Sequence, residues 1–379
     1  MARALVLGAG FGGIAAAVAL RDQLDRSDEV ILVDRRDEFV MGTRKTWHLI
    51  GASPLAEGAR PLSRLAGRGI RVIRGEVRAL ELGSRAVMVD DDRLEADAVV
   101  IALGAMHEPS AVPGLVEYAW SAWSLEDLPA ATQAIQDFPG GRVVIGIFGS
   151  PYTCPPAPFE LALLLQDHFV ARGIDAQVSV FGPAPIVLPV LGAAGCAVLD
   201  SRLDERGVPY LAGRQARAVT DGAVRFAESE QIGFDLLLAV PPHRAPAVLV
   251  ESGLAKPGSW VGVDRATLGT GHPGIYAIGD CTGIPLANGL PLPKAGLFAE
   301  REGRAVASRI AATFRGEEPH TTFDGTGACF VEMGGGEAST IRGDFYADPP
   351  AIELTMPSQA QREEKVRFET ERLQRWFGG

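Results

Sequence analysis

Four cysteines, Cys154, Cys196, Cys281 and Cys329, are the side chains here best suited to redox or nucleophilic work. They lie far apart, with no CxxC and no paired knuckle, so a structural zinc, a c-type haem and an iron–sulfur run have no support. The 6 histidines are scattered without HxxxH spacing, and no metal site is expected. Cys154 and Cys329 have unusual frames. Pro151 precedes Cys154, and Pro155, Pro156 and Pro158 follow it; Cys329 closes Gly325-Thr-Gly-Ala-Cys329. A cysteine serving only as a small buried hydrophobe has no need of such frames. Cys196, in an Ala- and Gly-rich run, fits a core helix, and Cys281 fits a packing position beside Asp280. Glu160 lies shortly after Cys154 at the start of a helix. It suits general acid/base work on sulfur, or it is a first-turn glutamate favoured by the helix dipole.

Phosphate chemistry is the second signal. Gly8-Ala-Gly10-Phe-Gly12-Gly13 contains GxGxxG after a short apolar strand and before an Ala-rich helix. Gly8 permits the tight turn, Gly10 lets the backbone approach a pyrophosphate, and Gly13 lets helix and strand pack closely. The helix N-terminus then offers unpaired N–H groups to the phosphates. Asp34 closes the next strand, about 20 residues on, where a carboxylate meets a ribose diol, and Arg35 beside it joins the same site. A dinucleotide site follows.

The elements that must position these groups read as α/β. Strands are expected at 3–7, 29–33, 69–74, 86–89 and 98–103, and the first helix runs from the Gly turn to about residue 24. The order repeats from 141: strand 142–148, helix 159–172, strand 176–181, with a last strand at 236–240. A strand over 274–280 and a long helix over 293–313 follow. Two tandem Rossmann-like domains of the glutathione-reductase type are predicted, with a small C-terminal segment. The expected boundaries are 1–110 and 241–315 for the first domain, 111–240 for the second and 316–379 for the segment. The 379 residues suit two or three domains. Lys plus Arg total 36 against 47 Asp plus Glu, a net charge of −11, which argues against nucleic acid. The uncharged run 4–20 is broken by glycines and lacks a cleavage site. No export signal or membrane span is read, and a cytoplasmic protein is expected.

Two later segments carry a resemblance. Asp97-Ala-Val-Val-Ile-Ala102-Leu-Gly104 and Gly274-Ile-Tyr-Ala-Ile-Gly279-Asp280 resemble the second and third signatures of the two-dinucleotide-binding-domain flavoproteins. The resemblance covers roughly 1–345 and implies FAD, with Asp280 on the ribityl chain. The following helix would point its N-terminus at the flavin, with Lys294 near its start. The second unit has lost its nicotinamide features. Prolines replace glycines and N–H donors in the turn after its first strand, and the next strand ends Val180-Phe181-Gly182-Pro183, without an acidic residue or arginine for a ribose.

Cys154-Pro-Pro-Ala157-Pro158-Phe-Glu160 resembles the CxxAPxE-like segment of the sulfide:quinone oxidoreductase and flavocytochrome c sulfide dehydrogenase group. Pro293-Lys294-Ala-Gly296 is similar to the group's PKTG segment, and Cys329 to its second cysteine. The resemblance implies a Cys154–Cys329 redox disulfide that accepts a sulfur nucleophile and passes two electrons through FAD to a quinone. It makes Cys329 flavin-proximal and Cys154 the persulfide carrier, an order the sequence leaves open. A third cysteine of several members is missing from 106–141, so non-covalent FAD is expected. Aromatic acceptor-site candidates are Phe330 first, then Phe298, Phe345 and Tyr346. The tail helix shows Val366, Leu373, Trp376 and Phe377 on one face, with acidic and basic residues between them. Peripheral membrane contact, docking on its own domain and a homodimer remain open. The substrate is sulfide or a small thiol or persulfide. The alternatives are a type II NADH dehydrogenase-like flavoenzyme, a thiol oxidase using oxygen, and a flavin-bearing redox sensor or scaffold.

Overall fold

The computed structural model describes residues 1–227 and 229–378. Glu228, within the expected second domain, and Gly379, at the end of the C-terminal segment, lie outside the described residues. Two five-stranded parallel sheets organise the chain. The first has the order Ile275–Ala277, Ala98–Ile101, Arg3–Leu7, Glu29–Asp34, Arg71–Arg74. Its strands are apolar at consecutive positions because both faces are covered. Ala4, Val6, Leu32 and Val100 enter one core, while Leu5, Leu7, Ile31 and Ile101 enter the other. The second sheet has the order Trp120–Ser121, Leu236–Val240, Gly141–Ile147, Ala176–Phe181, Tyr210–Leu211.

The helices are α1 (Phe11–Gln23), α2 (Arg44–Leu49), α3 (Leu115–Tyr118), α4 (Leu128–Gln136), α5 (Ala157–Ala171), α6 (Gly192–Glu205), α7 (Ala247–Glu251), α8 (Gly296–Phe314) and α9 (Gln359–Phe377). α1 and α8 lie against each other at glycine contacts. A Cβ on Gly303 would stand 2.5 Å from the Gly12 carbonyl oxygen. α8 starts at Gly296, later than the expected 293, because Ala295 is still extended at φ −139°, ψ 146°.

The C-terminal segment holds more than the sequence showed. Thr326–Gly334, Glu337–Asp344 and Ala351–Leu354 form an antiparallel sheet. Ser358 then caps α9, its Oγ accepting from the Gln361 N–H at 3.3 Å. The buried face of α9 is Lys365, Phe368, Glu369, Leu373, Trp376 and Phe377, whereas Val366 is 41% exposed. The expected stripe through Val366 is therefore corrected. Helical spacing puts Lys365 and Phe368, not Val366, in line with Trp376. Trp376 packs edge-on against Phe11 and Phe39, so α9 docks on the first Rossmann unit of its own chain. Among the described residues, no helix is long and apolar enough to cross a membrane.

Candidate active site between the two sheets

A long cavity opens where the strands of the first sheet end. Gly10, Phe11 and Gly12 line it after the first strand, Arg36 after the second, Ala102 and Gly104 after the fourth, and Gly279 and Asp280 after Ile275–Ala277. The glycines divide their work. Gly8, at φ +99°, would put a Cβ 2.3 Å from the Ala102 carbonyl oxygen, and Gly13 would put one 1.7 Å from that of Gly8. Those two serve packing. A Cβ on Gly10 would meet nothing within 4 Å, so its missing side chain leaves open space in the cavity wall. No side chain caps the start of α1, and its first N–H groups stay available.

Asp34 accepts from the Ala9 N–H at 2.6 Å and from the Arg36 N–H at 2.8 Å. Burial pushes its carboxyl up, but the Arg36 guanidinium and these N–H groups outweigh it and hold Asp34 below the usual carboxylate range. Arg36 lines the cavity; Arg35 is exposed and does not. Successive side chains at a strand end alternate in direction, which corrects the expected Arg35 to Arg36. Gly279 donates its N–H to Glu302 on α8 at 2.5 Å, and burial pushes Glu302 up to about 7.

Lys294 lines the cavity just before α8. Its Nζ donates to the carbonyls of Asp280 at 2.7 Å and Thr282 at 2.8 Å, and lies 3.5 Å from the Trp260 ring centroid. It clamps the third-signature turn while lining the cavity. Burial lowers it to about 8. The N-terminus of α8 lines the cavity through Ala295, Gly296 and Leu297 and supplies the positive end there. These residues fit FAD. Gly10 gives room for a pyrophosphate, α1 and α8 present helix N-termini, and Asp280 offers a half-buried carboxyl that desolvation raises.

Cys154 and Cys329 line this same cavity, although one comes from the turn before α5 and the other from the C-terminal sheet. Cys154 occupies the left-handed region at φ +54°, which costs a non-glycine residue about 1–2 kcal/mol. Its N–H donates to the Lys294 carbonyl at 2.7 Å, and its own carbonyl accepts from the Ala157 N–H at 2.9 Å. The Trp123 indole N–H holds the Thr153 carbonyl at 3.0 Å. The Cys154 and Ala157 N–H groups are thus both engaged, and Pro151, Pro155, Pro156 and Pro158 have none. Phe148 and Phe181 pack edge-on at 5.3 Å in the second unit, and a Cβ on Gly146 would stand 2.5 Å from the Phe148 ring. In the turn itself a Cβ on Gly149 would stand 3.0 Å from Pro242, where one on Gly10 meets nothing within 4 Å.

Both sulfurs are free thiols. Cys154 is open to the cavity but walled by protein, and burial, with help from Glu160, pushes its thiol up to about 12. Burial also raises Cys329, and charge on Cys154 raises it further, which makes the two sulfurs electrostatic neighbours. Cys196 and Cys281 are buried away from the cavity, their Sγ atoms donating to the Leu188 and Ile278 carbonyls. Their expected packing roles match these positions.

Glu160 lies in the first turn of α5 and is buried. Its Oε1 accepts from Thr46 Oγ1 at 2.8 Å; its Oε2 accepts from the Glu332 N–H at 2.9 Å and from Lys365 Nζ at 2.9 Å. Lys365 also reaches Glu332 at 3.2 Å, and the Trp47 indole donates to Glu332. Burial opposes the Lys365 charge, but Glu160 and Glu332 outweigh it and raise its pKa. Burial raises Glu332, yet Lys365, Trp47 and Arg362 hold it below the usual range. The sequence reading missed Lys365, Glu332, Thr46 and Lys45. The lysine was findable, since it falls on the apolar face of α9.

Of the expected acceptor-site aromatics, Phe330 lines the cavity, joined by the unforeseen Phe368 with ring centroids 5.5 Å apart. Phe298 and Phe345 do not. They form an edge-on pair at 4.8 Å, each 1% exposed, and a Cβ on Gly327 would touch the Phe298 ring. They are core residues because α8 turns Phe298 onto the C-terminal sheet. Tyr346 lies under the Arg265 guanidinium, outside the cavity lining.

The pyridine nucleotide-disulphide oxidoreductase family model matches residues 2–303. The mitochondrial sulfide:quinone oxidoreductase of Mus musculus is 24% identical over 363 residues, covering 91% of this chain and 78% of that protein. The type II NADH:quinone oxidoreductase of Staphylococcus aureus is 22% identical over 343 residues, covering 83% of each chain. The crystal structure of the sulfide:quinone oxidoreductase of Aquifex aeolicus superposes with a TM-score of 0.90 at 22% identity, covering 100% of this chain and 92% of that one.

Proposed function

The chain belongs to the pyridine nucleotide-disulphide oxidoreductase family and is an FAD-dependent oxidoreductase, and we propose that it oxidises sulfide, or a small thiol or persulfide, and delivers two electrons to a quinone. The observation that carries this reading is the lining of one cavity by Cys154, Cys329 and the FAD-binding signatures together. FAD supplies there a two-electron carrier between sulfur and quinone. In the oxidised protein Cys154 and Cys329 form a disulfide. Hydrosulfide attacks the Cys154 sulfur, the S–S bond breaks, Cys154 carries a persulfide and Cys329 leaves as thiolate. The assignment of which sulfur is attacked belongs to this proposal.

Glu160 is the proton-handling group. Among the described residues its Oε1 accepts one hydrogen bond, from Thr46, and keeps a lone pair, while Lys365 and the Glu332 N–H fix Oε2. Phe330 and Phe368 form the aromatic wall for the quinone ring. Met356 and Val366 are exposed near the start of α9 and supply apolar side chains for peripheral contact with a quinone-bearing membrane. The alternative donor, NADH, has the staphylococcal relative in its favour. The proline turn opposes it.

A steady-state assay of a water-soluble quinone tests the reading. Sulfide is expected to support quinone reduction, Cys329→Ser is expected to abolish it, and NADH at the same concentration is expected to give none. Turnover with NADH and none with sulfide would replace this function by the alternative.

A further inference from the structure

Lys45 lines the cavity with Cys154 and was not expected from the sequence. Its neighbours on α2 are committed elsewhere: Arg44 pairs with Glu57 and Glu369, and Thr46 donates to Glu160. Lys45 is different. Its Nζ donates to the Trp123 carbonyl at 2.7 Å, and among the described residues it forms no ion pair. An ammonium has three N–H donors, so two remain. Trp123 also holds the Thr153 carbonyl through its indole N–H at 3.0 Å. One residue therefore fastens both the lysine and the turn that carries Cys154.

The surrounding charges sharpen the point. Lys45 feels Arg36 as a repelling neighbour, and Cys154, Glu126 and Asp280 as attracting ones; burial dominates and lowers it to about 8. Cys154 faces Glu160 and Asp280, which disfavour an anion, and Lys365, which favours one. Lys365 is already bound to Glu160 and Glu332. A sulfur anion beside Cys154 would meet two carboxyl groups and one committed ammonium. An anion in such surroundings needs a nearby uncommitted cation.

We propose that Lys45 forms the cationic wall of an anion subsite beside Cys154, holding hydrosulfide before attack and the terminal persulfide sulfur afterwards. This rests on the reading of Cys154 as the redox sulfur. Hydrosulfide forms the new S–S bond to Cys154, the Cys154–Cys329 bond breaks, and its electron pair leaves on Cys329. The persulfide S–H proton then passes to the Glu160 carboxylate, leaving the terminal sulfur as an anion opposite Lys45.

Charge-selective alkylation tests the subsite without turnover. FAD-loaded protein is reduced, freed of reductant and treated with anionic iodoacetate or neutral iodoacetamide, and modification of Cys154 is followed by peptide mass spectrometry. The iodoacetate-to-iodoacetamide rate ratio is expected to fall about fivefold in Lys45→Met and to return in Lys45→Arg, the size expected when one charge of the cavity wall is removed. Added salt should shrink the wild-type preference. Buried Cys196 and Cys281 should stay unmodified and report intact folding. An unchanged ratio in Lys45→Met overturns the proposal. So does loss of FAD with an unchanged ratio, which would give Lys45 to the cofactor phosphates. If sulfide does not bleach the flavin of the wild-type protein, the redox reading falls and the subsite with it.

Discussion

The turns that follow the first strands of the two parallel sheets begin from the same plan and end in different chemistry. After Arg3–Leu7, glycines do the work: Gly8 and Gly13 pack backbone on backbone, and Gly10 leaves a void. After Gly141–Ile147, prolines and a strained Cys154 stand in the corresponding place, with the Cys154 N–H given to the Lys294 carbonyl and the Ala157 N–H to that of Cys154. Both turns face one cavity. A strand–turn–helix unit supplies a position, and the residues of its turn decide whether phosphate or sulfur chemistry occupies it.

The sharpest way to break the contrast is Cys154→Ser. Sulfide-driven quinone reduction is expected to fall roughly 10³-fold or more, because the hydroxyl cannot accept sulfur. The FAD absorbance per protein should be unchanged. Retained activity would leave the second turn without its assigned chemistry.

The thiol turn leads into a buried three-residue ion cluster, where the glycine turn has its Ala9 N–H on the Asp34–Arg36 pair. Lys365→Met removes the ammonium between Glu160 and Glu332, both nearly inaccessible. Denaturant unfolding should show a loss of about 3–5 kcal/mol. The first turn predicts the reverse pattern. Gly10→Val fills empty space at φ −82°, so apoprotein stability should move by less than about 0.5 kcal/mol. FAD affinity measured by fluorescence titration should nevertheless fall roughly 100-fold, since the added side chain stands where the pyrophosphate approaches.

The smallest effect concerns a histidine pair under the Cys154 turn. His107 and His243 lie 4.5 Å apart between ring centroids, and His243 Nε2 contacts Thr153 Oγ1 at 3.1 Å. His243 Nδ1 faces the Pro241 carbonyl at 2.7 Å and must donate to it, so Nε2 accepts from Thr153. Burial lowers His107 to about 4 and His243 to about 3. Both stay neutral in the fold at pH values where the unfolded chain, near 6.5, takes up protons. Stability should therefore fall as pH drops from about 6.5 toward 4, by up to about 2 kcal/mol per histidine at pH 5. His107→Phe should flatten that decline in thermal scans between pH 6.5 and 5. An equal decline in the variant would remove the pair from the account.

The comparison also explains what was legible. GxGxxG, Asp34 and the Gly279-Asp280 turn carry local backbone requirements, so their types and spacing report their positions directly. The proline frame of Cys154 is readable for the same reason. The Lys365–Glu160–Glu332 cluster is not, because α9, α5 and the strand Thr326–Gly334 meet only in the folded chain. Phe298 and Phe345 misled because an aromatic near a motif does not disclose which face of its element turns inward. Arg35 misled by one strand position. The antiparallel sheet after Thr326 was hidden by glycines that suggested loops, such as Gly334, Gly335 and Gly336 at its hairpin.

The most direct test of the central claim, that the second nucleotide position now holds reactive sulfur, is the reductive half-reaction alone. Oxidised protein is mixed anaerobically with sodium sulfide or with NADH, and the flavin band is followed by stopped flow in wild type and Cys154→Ser. Bleaching by sulfide, none by NADH, and loss of the sulfide response in Cys154→Ser are the predicted results. Bleaching by NADH, or equal bleaching by sulfide in both proteins, would contradict it.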